Sequence, residues 1–170
     1  MTVLGIDPGT ARMGYGVIEK KGSALTAREY GCIDTSMRKT AGGRLEEIYE
    51  TLKKVFKEYR PDVVSVETLF FSKNVKTAFA VGQARGVALL LAAQEEVSLV
   101  EYTPLQVKSA LVGYGKAEKS QIQFMVQRLL KLDERPEPDD AADALALAIC
   151  HAHSSSLGSQ KSEVRSRKSR

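Results

Sequence analysis

Thr2 to Ile33 reads "TVLGIDPGTARMGYGVIEKKGSALTAREYGCI", and the fold turns on how many strands this stretch holds. "TVLGID" is a short, mostly apolar run that ends at Asp7-Pro8-Gly9, the pattern of a buried strand entering a turn. Gly14 to Lys20 and Leu25 to Ile33 read as two more strands, with Lys21-Gly22-Ser23 as the hairpin turn between them. Three strands joined this closely predict an antiparallel meander.

Beyond the meander the period of the apolar residues changes from two to three and four. Leu45, Ile48, Tyr49, Leu52, Val55, Phe56 and Tyr59 predict an amphipathic helix over 43–59, which Arg60-Pro61-Asp62 ends. "VVSVE" is a strand whose unbroken apolar character suits a central place, covered on both faces. An Ala-rich helix from Val75 to Ala93, a strand "VSLVEY", and helices over Leu105–Val112, Ser120–Lys131 and Asp139–His153 complete the order. The reading is an α/β fold: a mixed five-stranded sheet flanked by helices, one domain over residues 1–153. A chain of 170 residues is of ordinary size for one such core, and folding should remove roughly 70% of its surface from water.

The net charge of +4 comes from residues 154–170, where Lys161, Arg165, Arg167, Lys168 and Arg170 face only Glu163. That Ser-rich, basic tail has the composition of a disordered segment, suited to weak phosphate contact or to none. No apolar run approaches the roughly 20 residues that span a bilayer, and the N-terminus has no basic segment followed by an apolar one, so a soluble, cytoplasmic protein with no membrane partner is expected. Cys32 and Cys150 are too far apart, and too isolated from other ligands, to suggest a disulfide framework or a zinc knuckle. His151 and His153 read as the cationic end of the last helix.

Candidate chemistry begins with Asp7 and Glu67, each at the carboxyl end of a strand. If those strands are parallel neighbours, both acids emerge at the edge where α/β proteins bind ligands. Asp before Pro-Gly is also an ordinary turn starter, and a Glu at a strand end is often merely solvated. The helix "PDDAADALALAICHAH" adds more. Pro138 fits its first position, and Asp139 and Asp140 suit the positive end of its dipole. Asp143, a turn deeper among alanines and leucines, is expected to be buried, and a buried carboxylate is costly unless paired or bound to a metal. By spacing alone, either Asp139 or Asp140 can share a face with Asp143. Clustered carboxylates call for a multivalent cation, and an oxygen-only donor set favours Mg²⁺ or Mn²⁺. Two such ions roughly 3.5–4 Å apart activate water and stabilise a leaving oxygen in phosphodiester hydrolysis.

"GIDPGTARMGYGVI", "VSVETLFFSKN", "GQARGVALL", "GYGKAEKSQIQ" and "DDAADALALA" together resemble, in order and spacing, the RuvC family of crossover junction endodeoxyribonucleases, over about residues 3 to 153. The resemblance implies a ribonuclease H-like fold and a homodimer that cuts four-way (Holliday) junctions by paired nicks with Mg²⁺, beside a branch-migration helicase in recombination and repair. It places four catalytic, metal-holding acids at Asp7, Glu67, Asp140 and Asp143, and sets Asp139 aside as a helix-start residue. It also puts a base-contacting aromatic at Phe70 and lysines for DNA and catalysis at Lys108 and Lys119. An aromatic beside the acid edge can stack on a splayed base, and Lys73, Lys76, Arg85 and Lys116 are further candidates for phosphate contact. The Ala-rich helix from Val75 to Ala93 is the expected dimer interface.

Two other readings compete. "GIDPGTARMGYGV" also resembles the phosphate loop of actin-like ATPases and sugar kinases, but the second phosphate loop is absent and such a fold gives Asp143 no task. A junction-binding protein without catalysis would leave all four acids idle.

Overall fold

The computed structural model describes residues 1–68 and 75–167, with the side chains of 75–77 and 156–167 left aside. The predicted meander is present as β1 (Thr2–Asp7), β2 (Arg12–Lys21) and β3 (Ala24–Asp34), followed by α1 (Ala41–Tyr59), β4 (Val63–Glu67), α2 (Val75–Gln94) and β5 (Ser98–Tyr102). Three helices close the chain: α3 (Pro104–Val112), α4 (Lys119–Leu130) and α5 (Asp139–Arg167). The sheet order is β3-β2-β1-β4-β5. β1, β2 and β3 pair antiparallel, while β4 and β5 continue the sheet parallel to β1. This mixed five-stranded arrangement, with helices on both faces, is the ribonuclease H-like one.

Local signals explain the element ends. Lys21 pairs with Ala24, so the hairpin turn is Gly22-Ser23, and Gly22 takes the positive φ of 60° that such a turn needs. Thr40 caps α1 by accepting from the Gly43 amide at 3.2 Å. Thr103 and Gln106 form a reciprocal capping box at the start of α3. Pro138 precedes α5 rather than opening it, because its carbonyl already accepts from Ala142, the first bond of the helix.

Two hydrophobic clusters sandwich the sheet. Leu4, Ile6, Val64 and Val66 pack with α1 and α2 on one face. Val3, Val63 and Tyr102 pack on the other face with α5, which is itself covered by Leu111 of α3 and Ile122, Val126 and Leu130 of α4. α5 is thus a central helix, and its Ala141, Ala142, Ala144, Leu145, Ala148 and Ile149 are fully buried. Its helical backbone continues past His153 to Arg167, through the stretch whose composition argues for disorder. His151 and His153 therefore lie within the helix and not at a cationic end. The Tyr102 hydroxyl lies 2.8 Å from His151 Nδ1, and His153 Nδ1 lies 3.1 Å from the Ala110 carbonyl. Burial lowers the proton affinity of His151, with Lys20 adding to the effect. Among the described residues, no helix is long and apolar enough to cross a membrane.

Candidate active site

Side chains alternate along a strand, so the cluster to which each residue belongs fixes the direction of its neighbours. Val3 and Val63 face α5 while Leu4, Ile6, Val64 and Val66 face away, so Asp7 and Glu67 belong to the α5 side. β1 and β4 run parallel with Ile6 opposite Val66, and the two acids leave the sheet together at its carboxyl edge.

Glycines bring the third element to them. A Cβ on Gly5 would run into the carbonyl oxygen of Ala144, and one on Gly14 into that of Asp140. α5 rests on the bare backbone of β1 and β2, closer than any side chain would allow. Because Gly14 is the cross-strand partner of Asp7, the first turn of α5 arrives beside that acid.

A cleft of about 280 Å³ opens at this point, with Asp7, Glu67, Asp143, Lys108 and Lys119 as its polar lining and Pro104, Val107, Ile122, Ala146 and Leu147 as its apolar wall. Asp140 stands at the rim instead, its Oδ2 3.9 Å from Arg12 Nη1. Arg12 in turn holds Asp34 at 2.6 Å. Asp143 is only partly buried, and not sealed off as its apolar neighbours suggest: 38% of its side chain is exposed. The alanines and leucines around it meet the sheet and α4, whereas Asp143 lies where α5 passes the sheet edge and looks into the cleft.

The electrostatics are those of a site short of positive charge. Burial, then Asp143, Glu67 and Asp140, push the Asp7 carboxyl up to about 7 against the pull of Lys119. Burial and Asp143 raise Glu67 as well. Burial also raises Asp143, opposed by its hydrogen bond from Lys119. Lys119 Nζ lies 3.1 Å from Asp143 Oδ2 and 3.1 Å from Asp139 Oδ2. Burial draws this ammonium down, but its bonds to Asp139 and Asp143 outweigh that and hold it above its ordinary value. Lys119 is the first residue of α4, the helix end that repels cations. The acids across the cleft explain why a lysine stands there.

Oxygen-only donors that raise one another's proton affinity suit a hard divalent cation. Among the described residues, no three His, Cys, Asp or Glu side chains are gathered closely enough to chelate an ion as they stand. The Lys119 ammonium supplies part of the missing charge, and Asp140 is turned to Arg12.

The family profile described as "Crossover junction endodeoxyribonuclease RuvC" matches residues 3–151. The chain belongs to the RuvC family. A crossover junction endodeoxyribonuclease RuvC from Desulforamulus reducens is 56% identical over 156 residues, 92% of this chain and 96% of its own. One from Desulfitobacterium hafniense is 57% identical over 157 residues, 92% and 95% of the two chains. T. thermophilus RuvC, solved in complex with Holliday junction substrate, superimposes with a TM-score of 0.86 at 34% identity, covering 93% of this chain and 97% of that one. The yeast mitochondrial Holliday junction resolvase shares the fold at 16% identity and a TM-score of 0.65, over 89% of this chain and 77% of that one.

Of the positions to which the RuvC resemblance points, Asp7, Glu67, Asp143, Lys108 and Lys119 share the cleft and Asp140 is at its rim. Phe70 lies outside the described residues, as do Phe71 and Lys73. Arg85, a candidate phosphate contact by sequence, is turned inward: its side chain is 16% exposed and meets Glu101 of β5 at 2.5 Å. That pair joins a helix to the strand beyond it, a contact with no local sequence signal. Two residues near the RuvC acids were not foreseen, Arg12 beside Asp140 and Asp139 as a partner of Lys119. A lysine at the first position of α4 was the available hint for the second.

Proposed function

We propose that this chain is a structure-selective endonuclease that resolves four-way (Holliday) DNA junctions by paired, symmetric nicks through Mg²⁺-dependent phosphodiester hydrolysis. The observation that carries the reading is the meeting of Asp7, Glu67 and Asp143 with Lys108 and Lys119 in one open cleft, in a chain that a junction-bound RuvC structure matches along nearly its whole length. Asp7, Glu67, Asp140 and Asp143 would hold the metal, two Mg²⁺ ions with Mn²⁺ as a substitute. Bound there, the ions supply an activated water and charge for the leaving oxygen. Asp7 and Glu67 are fixed by the sheet and Asp143 by α5, so the donors are rigidly mounted. Lys108 and Lys119 offer cationic heads to the phosphate backbone, a contact that fixes register without reading sequence. The apolar wall of the cleft keeps water from one side of the acids and strengthens their charges there.

A junction is close to two-fold symmetric, and a homodimer places one cleft at each of two opposed strands. Exposed Phe79, Gly86, Leu89, Leu90 and Ala93 follow one stripe of α2, which supports that helix as the contact between copies. The setting is cytoplasmic recombination and repair, beside a branch-migration helicase.

The test compares a synthetic four-way junction with a linear duplex of the same sequence, in Mg²⁺ and in chelator. Paired nicks confined to the junction are expected in Mg²⁺ alone. Asp143→Asn should reduce them by more than the roughly 10- to 100-fold typical of changes one shell out from a metal. Junction binding with no cutting in Mg²⁺ or Mn²⁺, unchanged by Asp143→Asn, would leave a binding module instead.

A further inference from the structure

Asp139 is outside the set of four acids, yet it touches the same lysine as Asp143. Resting on the metal-dependent reading above, we propose that Asp139 is a positioning residue: it offers Lys119 a second carboxylate, so that Asp143 is released to a divalent ion while the ammonium stays at the rim of the cleft. Lys119 Nζ is 3.1 Å from an oxygen of each acid, and the two acids lie one helical turn apart on α5. Asp139 is itself anchored, because Gln123 Nε2 of α4 donates to its other oxygen. It is a fixed berth and not a free surface charge.

The exposure of the three groups makes the exchange easy. The Lys119, Asp139 and Asp143 side chains are 53%, 58% and 38% exposed, so moving the ammonium from sharing both acids to holding Asp139 alone strips little water from any of them. Without Asp139, the strong partner left to Lys119 is Asp143, and the ammonium competes with the ion for it. With Asp139, a cation for the DNA backbone and a carboxylate for the metal coexist in one cleft.

The test is direct Mn²⁺ binding to the DNA-free protein, read from the electron paramagnetic resonance signal of free Mn²⁺. Asp139→Asn should weaken binding about two- to fivefold, the scale of one exposed ion pair. Lys119→Met should tighten it by removing the competitor, and Asp139→Asn added to Lys119→Met should change it little, since the berth then has no occupant. Asp139→Glu should restore wild-type affinity. An equal loss from Asp139→Asn in both backgrounds would mean that Asp139 acts only through its own charge, and would overturn the inference. So would no loss at all, provided that Asp7→Asn abolishes binding. If wild type binds no Mn²⁺, or Asp7→Asn leaves binding intact, the metal reading itself fails and takes this inference with it.

Discussion

Asp7 meets burial and three like charges at once, which is why its carboxyl is pushed up to about 7 while an ordinary aspartate stays near 3.8. The consequence for stability follows by linkage. In the unfolded chain Asp7 ionises at its ordinary value, so between about pH 4 and pH 7 the folded state binds more protons than the unfolded one. Stability of the metal-free protein therefore falls as pH rises through that window, and Glu67 and Asp143, also raised, act in the same direction. Asp7→Asn removes the largest part of that penalty. In chelator, the Tm of wild type should drop between pH 5 and pH 8 by more than that of Asp7→Asn, and the variant should be the more stable of the two at pH 8. Parallel slopes in the two proteins would contradict the charge crowding inferred for the cleft. The variant exchanges function for stability, as acids gathered for a site commonly do.

At the scale of elements, the position of the acids depends on how deeply α5 sinks into the sheet. A methyl on Gly5 would enter the space of the Ala144 carbonyl, a backbone atom that moves only if the helix moves. Gly5→Ala should cost about 1–3 kcal/mol or more as overpacking, and should lower junction cleavage even where the protein stays folded, because Asp140 and Asp143 ride on α5. Gly22→Ala gives the contrast. Its φ of 60° strains an alanine by roughly 1–2 kcal/mol, but open space surrounds it and cleavage should be unchanged. Urea unfolding and cleavage rates for the two variants check this, and Gly5→Ala with wild-type stability or wild-type cleavage when folded would refute the depth argument. The elements themselves were legible in the sequence because each carries its own period: two in the meander, three and four in α1. Asp7 and Glu67 could be placed at one edge because both end parallel strands. The depth of α5 was not legible, since Gly5 and Gly14 look like any strand glycines until a helix is known to cross them. The same gap explains Asp143, whose apolar neighbours announce burial, whereas its exposure depends on where the sheet ends. Long-range pairs such as Arg85 with Glu101 and Lys119 with Asp139 were hidden for the same reason, their partners being set by packing and not by spacing.

At the scale of the whole molecule, α2 presents an apolar stripe, among the described residues, that the chain's own core leaves uncovered. Ala84, Ala88, Leu91 and Ala92 of α2 are buried against the sheet, while Phe79 is 67% and Leu90 54% exposed on the far side, with Gly86 between them in open space. A bare glycine between large apolar residues lets a second helix approach closely, and a stable contact buries about 800 Å² on each partner. Leu90→Asp places a charge in the middle of that stripe. In the isolated chain it touches solvent, so the stability of the monomer should move by no more than about 0.5 kcal/mol. In a dimer the aspartate would be desolvated without a partner, and sedimentation should report a dimer for wild type and a monomer for the variant. The cutting pattern should change with it. Among the described residues each chain has one cleft lined by Asp7, Glu67 and Asp143, so two opposed nicks on one junction would need two chains held together. The variant should release junctions nicked once, with paired products appearing late and rising steeply with protein concentration. A Leu90→Asp chain that remains dimeric would remove α2 as the interface. One that is monomeric yet still gives prompt paired nicks at low concentration would show that the two clefts do not need this contact to act together.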